Sequence, residues 1–592
     1  MKKIQTVAFF FRLIWQANKF YLLSITILPA LSWLQSMIGV IFTKRLLDNL
    51  ENASIIGGGI SAAIMLFSFF FISVIQESVS AKQTVAGQDL HTKMRTLLAD
   101  KYVSLPYHIT CRHDRQEEYE MAVKCVDESY AEAFVSKGLS IVFGIGTIGS
   151  LLYLLREFPI WLLALFAVVL IVDVIVYIKQ ADLLYANYVD ETPIERGLYY
   201  ARGGLMRLDF AKEIRLYGLK DFISQKTEAS ISAFYDQCEK SRKLEMRKAL
   251  WSYLAEAIQF VGIYALAILE YYKNKAMTIG EFSLILTSTT KFSQVTREIA
   301  SDGVSIYKNI RYVEMLEDFL KITYDKGCDV SNINPAERHY FKFDHVSFQY
   351  DGSDNEVLQD INIEFYSDEK ISVVGDNGAG KTTFVLLLLG FLKPTKGQIL
   401  IDGINIDKVE REKYIHIFSP VFQDYVIYNT DIKDNITLSL DYDKDLFVDC
   451  TKNVELDLDR FPQDEQTNIG NIYEEDGVEL SGGESQKVAL ARAIYKQSAM
   501  FIFDEPTAAL DPRAECDLYL NFKRIADKRG CVFISHRLAS CKLCEKIFVF
   551  DKGKLIETGS HEALMRNKGV YHSMFTAQSE KFFEARCKMK LQ

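Results

Sequence analysis

From Phe20 to Thr43 the chain carries no charged residue, and the same holds from Ile55 to Gln76 and from Gly138 to Leu155. A helix needs about 20 mostly apolar residues to cross the hydrocarbon core of a bilayer, so each run predicts a membrane span. Phe158 to Ile178 is broken only by Asp173, and Ala249 to Leu269 only by Glu256. A sixth, more polar segment, Thr278 to Ala300, carries Glu281, Lys291, Arg297 and Glu298. The stretches 80–133 and 179–248 are too polar to lie in lipid and too long to be turns. Their helix-forming composition predicts that the membrane helices run on into the cytosol. The opening MKKIQTVAFFFRLIW is apolar but interrupted by Arg12 and lacks a small-residue cleavage site, which predicts an amphipathic helix at the interface.

Charge then orients these spans. Lys82, Lys93, Arg95, Lys101, Arg112, Arg115 and Lys124 crowd the first long stretch, and the second ends in KSRKLEMRK. The alternate connections hold only Lys44 and Arg45, Arg156, and Lys273 and Lys275. Basic loops face the cytosol, which puts both long loops and both termini inside a multi-pass plasma-membrane protein. An acid near the centre of a span costs about 2.5–3.5 kcal/mol on insertion scales. Asp173 and Glu256 therefore either line a polar substrate cavity or form internal pairs, with Lys291 as a possible partner. A net charge of −10 without a basic stripe excludes nucleic acid as a partner. Ten cysteines form no framework, and the lone pair Cys541 and Cys544 lacks further ligands at metal spacing, so free thiols are expected.

From about Arg338 the pattern changes to short β-rich runs punctuated by Gly and Asp. Ile371–Val374 reads as a buried strand, Gly375–Thr382 matches G-x-x-x-x-G-K-[ST], and Thr383–Leu389 continues as a helix. This is a phosphate loop in its required context. Backbone amides of Gly375, Asp376, Asn377, Gly378, Ala379 and Gly380 can wrap phosphates, with Thr383 following in the first turn. Lys381 should reach the β- and γ-phosphates of ATP and Thr382 should ligate Mg²⁺. MFIFDEP is an apolar strand ending in Asp504, placed for the Mg²⁺ shell, and Glu505, placed to polarise an attacking water. ELSGGESQKVALARA holds a second anion loop, Ser481–Gly483, at a helix start.

Taken together, residues 338–575 resemble the ATP-binding cassette of ABC transporters. The resemblance implies that Tyr350 stacks on adenine, that Gln423 contacts Mg²⁺ and the water, and that His536 in ISHR contacts the γ-phosphate. LSGGE, Leu480–Glu484, matches the family signature except at its last position, and AALD, Ala508–Asp511, resembles the loop after the acids. Six spans ahead of one cassette are similar to an exporter-type half-transporter. The implied fold is a membrane α-helical domain of the type IV ABC exporter kind, followed by an α/β P-loop nucleotide-binding domain. The expected division is 1–320 membrane domain, 321–337 linker, 338–575 cassette and 576–592 tail. AKEIRLYG, Ala211–Gly218, resembles a stretch near the helix that docks on a cassette, and the first such helix is expected near Arg112–Glu118. TNIGNIYEEDGVELSGG departs from the family's compact T-x-V-G-E-x-G by a few added residues.

In that family two cassettes meet head to tail, and each signature loop closes over the other's ATP. Ser481, Gly482, Gly483 and Glu484 are thus expected to act in trans, in a homodimer or as the active half of a heterodimer. The cassette details are most similar to bacterial peptide and lanthipeptide exporters. With only residues 1–54 before the second span, no N-terminal peptidase domain is expected. A multidrug or lipid exporter carrying a hydrophobic small molecule, a non-transporting membrane ATPase or immunity module, and an importer with an exporter-like fold stay open. Glu484 is favourable by about 0.3–1 kcal/mol in the first turn of a helix. It also brings negative charge towards ATP where the family usually has Gln, which predicts slower or weaker closure rather than a dead site.

Overall fold

A computed structural model describes residues 2–156, 158, 197, 210–273, 277–324, 333–335, 337–470, 476–504, 529–534 and 540–578. They divide into two compact units, Met1–Ser104 with His113–Ile322, and Leu105–Arg112 with Thr323–Gln592.

The first unit is helical throughout its described residues. Helix α1 spans Lys2–Ala17, α2 Lys19–Glu51 and α3 Ile55–Ser104. Three helices are long and apolar enough to cross a membrane among the described residues: α2, α3 and Tyr130–Leu154. The fourth expected span, with Asp173, lies outside the described residues. The fifth and sixth fall within two further helices, Lys220–Lys273 and Ile279–Leu320. At about 1.5 Å per residue the 50 residues of α3 extend about 75 Å, more than twice a hydrocarbon core. The expected run-on beyond the bilayer is therefore present. Leu66, Phe67 and Phe70 are each about two-thirds exposed along α3. An apolar surface of that extent belongs against lipid or a partner chain. Helix α1 buries Phe10 and Ile14 completely, while Arg12 on another face is exposed, in keeping with its amphipathic pattern.

Polar contacts tie this unit together at its helix ends. Thr278 caps Ile279–Leu320 by accepting from the Glu281 amide, and Glu281 returns a bond to the Thr278 amide. Acids from the end of α2 complete that cap: Thr278 donates to Asp48 at 2.6 Å, and the Ile279 amide donates to Glu51 at 2.8 Å. Carboxylates at a helix N-terminus are favoured by its dipole.

The second unit begins with Leu105–Arg112. Pro106 ends the run of α3, and a single turn, α4, follows at Tyr107–Thr110. Residues from His113 on belong to the first unit, while within the second Tyr107 packs on Phe391 with ring centroids 5.3 Å apart. In the first unit, AKEIRLYG forms a short helix at Ala211–Leu216.

Two sheets make the rest of this unit. An antiparallel sheet orders β2 (Leu358–Tyr366), β1 (Tyr340–Phe348), β4 (Lys396–Ile401) and β5 (Ile404–Asn405). A six-stranded sheet orders β10 (Lys554–Gly559), β9 (Lys546–Asp551), β3 (Lys370–Gly375), β8 (Gly530–Ile534), β7 (Met500–Asp504) and β6 (Phe418–Val421). All its pairings are parallel except β9 with β10. Every residue of β7 and β8 is buried, as expected for parallel strands covered on both faces. Phe384, fully buried, fills the space between the sheets, with Phe343 at 4.8 Å and Phe550 at 5.6 Å between ring centroids. Phe384→Ala is expected to destabilise this unit by about 3–5 kcal/mol. Hydrogen exchange of β3 in the full chain checks it, and unchanged protection would exclude a core role.

Candidate functional site

The carboxyl ends of β3, β7 and β6 lie on one edge of the parallel sheet, the edge where open α/β sheets bind ligands. Strand β3 ends at Gly375, and helix α5 starts at Lys381 and runs to Leu388. Between them Asp376, Asn377 and Gly378 are exposed, while Ala379 and Gly380 are buried. Two glycines are required by contact. A Cβ on Gly375 would sit 2.3 Å from the Phe550 carbonyl, and one on Gly380, at φ +99°, 2.6 Å from Leu358. Lys381 is buried, and its ammonium donates to the carbonyls of Gly375 (2.9 Å) and Asp376 (3.0 Å) across the loop it serves. Thr382 is exposed beside it.

Tyr350 reaches the same place from beyond β1. Its hydroxyl lies 3.2 Å from Thr383 Oγ1, and its ring stands edge-on to Phe348 at 4.8 Å. Its partly exposed face can stack on a base. Asp504 ends β7, buried and registered against Ile534 of β8. Gln423 follows β6 by two residues and is exposed, and Val421 is in register with Phe503. The structure thus gathers Tyr350, Gly375–Thr383, Gln423 and Asp504 at one sheet edge. Glu505, His536 and Ala508–Asp511 lie outside the described residues.

Ser481 caps helix α6, Gly482–Tyr495, and Glu484 completes a capping box. The Glu484 amide donates to Ser481 Oγ at 3.3 Å, and the Ser481 amide donates to Glu484 Oε2 at 2.9 Å. The Ser481 hydroxyl also donates to that carboxylate, at 2.7 Å. The Glu484 carboxylate thus turns back onto the loop. Arg460 flanks it at 3.6 Å. The Ser481 hydroxyl, then its amide, hold the Glu484 carboxyl below its ordinary range.

Comparison with known proteins matches residues 358–508 to the ABC transporter family. That stretch of the chain is thus an ABC transporter domain. A subtilin transport ATP-binding protein, SpaT, of Bacillus subtilis is 32% identical over 62% of this chain and 60% of its own length. The chain thus spans less than two thirds of that relative. A nisin transport ATP-binding protein, NisT, of Lactococcus lactis subsp. lactis is 26% identical over 96% of this chain and 95% of its own. A bacterial Atm1-family ABC exporter with ATP bound superposes with a TM-score of 0.80 at 22% identity, covering 94% of this chain and 98% of that one. The fold is therefore that of an ABC exporter.

Sequence reading missed the residues that brace helix α6. Arg492, one of the basic residues of α6, donates to the carbonyls of Asn435 (2.7 Å) and Val426 (2.9 Å). Tyr425 donates to the Gly482 carbonyl at 3.3 Å. The segment after Gln423 is thus bound to both ends of α6. Helical spacing alone marks Arg492 as facing away from the solvent, but not what it reaches. Burial pushes its guanidinium below its usual range. The membrane unit also corrects one expected pair. Glu256 is held by Arg297 through two bonds, 3.0 and 3.1 Å, rather than by Lys291. Lys291 and Arg297 are six residues apart, which puts them on different faces of one helix. Cys541 lies within a single 3-10 turn, Ser540–Leu543, and Cys544 directly after it; both are buried and form no disulfide.

Lys381→Ala is expected to weaken ATP binding about tenfold or more by removing a charge-assisted donor. Equilibrium binding of a fluorescent ATP analogue checks it, and unaltered affinity would remove Lys381 from the site. Glu484→Gln leaves a weaker acceptor facing Ser481, so ATP-driven closure should strengthen by about 2–10-fold. A titration of ATPase rate against ATP that overlays the parent would make the substitution neutral. Because folding lowers the Glu484 pKa, the box contributes above the ordinary carboxylate range and is lost as pH falls through the lowered value.

Proposed function

We propose that the chain is one half of an ATP-driven exporter that works as a dimer, with a homodimer favoured, and moves a peptide outward across the plasma membrane. One observation carries the dimer. The chain holds a phosphate loop and a separate capped anion loop; among the described residues the latter is flanked by an ion pair from Arg460 to Glu484 and accepts a hydrogen bond from Tyr425 at the Gly482 carbonyl. A loop of this kind at an exposed helix start suits a phosphate brought by another chain. The names of the relatives, which transport subtilin and nisin, support a peptide cargo.

In this reading Tyr350 stacks on the adenine, and the amides from Gly375 to Gly380 hold the phosphates. Lys381 shifts from its own loop carbonyls to the phosphate oxygens. Thr382, Asp504 and Gln423 offer only hard oxygen donors, and the buried Asp504 carboxylate at the strand end suits a small divalent cation. Bound there, Mg²⁺ would neutralise charge between the β- and γ-phosphates. Glu505 polarises the attacking water and His536 contacts the γ-phosphate. Ser481, Gly482 and Gly483 close over the partner's nucleotide, with the Ser481 hydroxyl leaving Glu484 to do so. Both termini and the cassette lie in the cytosol, with 1–320 as membrane domain, 321–337 as linker, 338–575 as cassette and 576–592 as tail.

Glu505→Gln is expected to bind ATP normally but to turn over at least about 100-fold more slowly. Unchanged hydrolysis would remove Glu505 from the catalytic role. In inside-out vesicles the parent should accumulate peptide only with ATP, and the variant should not. Peptide-insensitive ATPase without uptake would make the chain a non-transporting ATPase, and accumulation only in right-side-out vesicles would make it an importer.

A further inference from the structure

The membrane unit contains a cavity of about 370 Å³ lined by Gln35, Ser36 and Thr43 from α2, and by Thr287, Thr290 and Lys291 from Ile279–Leu320. Lys291 lies about 18 Å along that helix from Ile279, at 1.5 Å per residue, and so inside the sixth span. A cation at that depth is costly and marks a functional site by default. Its ammonium donates to Gln294 Oε1 at 3.2 Å, and no carboxylate pairs with it among the described residues. Neighbouring acids are taken: Glu281 lies 3.8 Å from Lys44, Glu298 accepts from Gln294, and Glu256 holds Arg297.

The hydroxyls have a sided chemistry as well. Thr43 donates to the Gly39 carbonyl at 2.7 Å, Thr287 to Ser283 at 2.9 Å, and Thr290 to Thr287 at 2.9 Å. Their protons are spent on their own helices, so these oxygens can offer only lone pairs to a ligand. A positive donor among acceptors suits a molecule that carries both a carboxylate and N–H groups.

We propose that this cavity recognises the cargo through a peptide carboxylate on Lys291, with peptide N–H groups donating to the threonine oxygens. The assignment rests on the export reading and narrows it to acidic or free-C-terminal peptides. A hydrophobic small molecule without a carboxylate would supply no counter-charge to Lys291, which has none among the described residues.

The test uses the full chain in inside-out vesicles and a synthetic peptide library, half left as free acids and half methyl-esterified at every carboxyl. Mass spectrometry reads ATP-dependent uptake of each form. The parent should favour the free acids about tenfold, as expected for one charge-assisted contact. Lys291→Met should abolish that preference and Lys291→Arg should keep it. Thr287→Val should reduce uptake of both forms alike. Equal uptake of acids and esters by the parent, or a preference that survives in Lys291→Met, would overturn the carboxylate assignment while leaving export standing. ATP-dependent uptake of neither form would overturn export and this assignment with it.

Discussion

Gly375 lies so close to the Phe550 carbonyl that no side chain fits between them. This approach is the constraint on which the cassette depends. Strand β3 must pair with β9 and β8 along its whole length, and the chain must then turn outwards at once, under the sheet edge. The turn leaves the amides of the loop facing out and delivers Lys381 into the first turn of a helix whose Phe384 is locked between the two sheets. Because β7 and β6 end on the same edge, Asp504 and Gln423 arrive on the side of the sheet where the loop lies. Packing of aromatic rings thus fixes the position of a site made of backbone amides and oxygens.

The chain uses one capping device twice, to different ends. Thr278 with Glu281 and Ser481 with Glu484 are both capping boxes, in which hydroxyl and carboxylate satisfy the amides that a helix start leaves open. The first is reinforced by Asp48 and Glu51 and anchors two membrane-unit helices to each other. The second is exposed and joined by a direct hydroxyl-to-carboxylate bond. The donor that a phosphate would need is therefore already engaged at rest. In the proposed cycle, closure on nucleotide would exchange one anion for another, a carboxylate for a phosphate, which would make the cap a tunable element.

Charges inside the membrane unit divide in the same manner between structure and recognition. Glu256 is neutralised within the unit by the forked donors of Arg297, and Lys137 likewise meets the buried Asp302 at 2.8 Å. Such pairs pin helices together while hiding charge from lipid. Lys291 has no such carboxylate among the described residues and borders a cavity that it shares with threonine hydroxyls. A cation in a span without a counter-charge is tolerable where water or a ligand supplies one.

The sequence by itself determined the elements whose signal is local. Uncharged runs of span length, a glycine-punctuated phosphate loop between strand and helix, and an apolar strand ending in Asp504 all depend on spacing within about 20 residues. The resemblance to ABC transporters followed from those motifs in order. Tertiary structure alone decided which side chains meet. Whether Glu256 pairs with Lys291 or Arg297 depends on which helix face packs inwards, and both cations read alike in a span. Whether Glu484 points at a ligand or back at Ser481 depends on a side-chain rotation that its position in a first turn leaves open. Arg492 and Tyr425 became visible only once distant segments were folded onto one helix, because hydrogen bonds between residues far apart leave no periodicity to read.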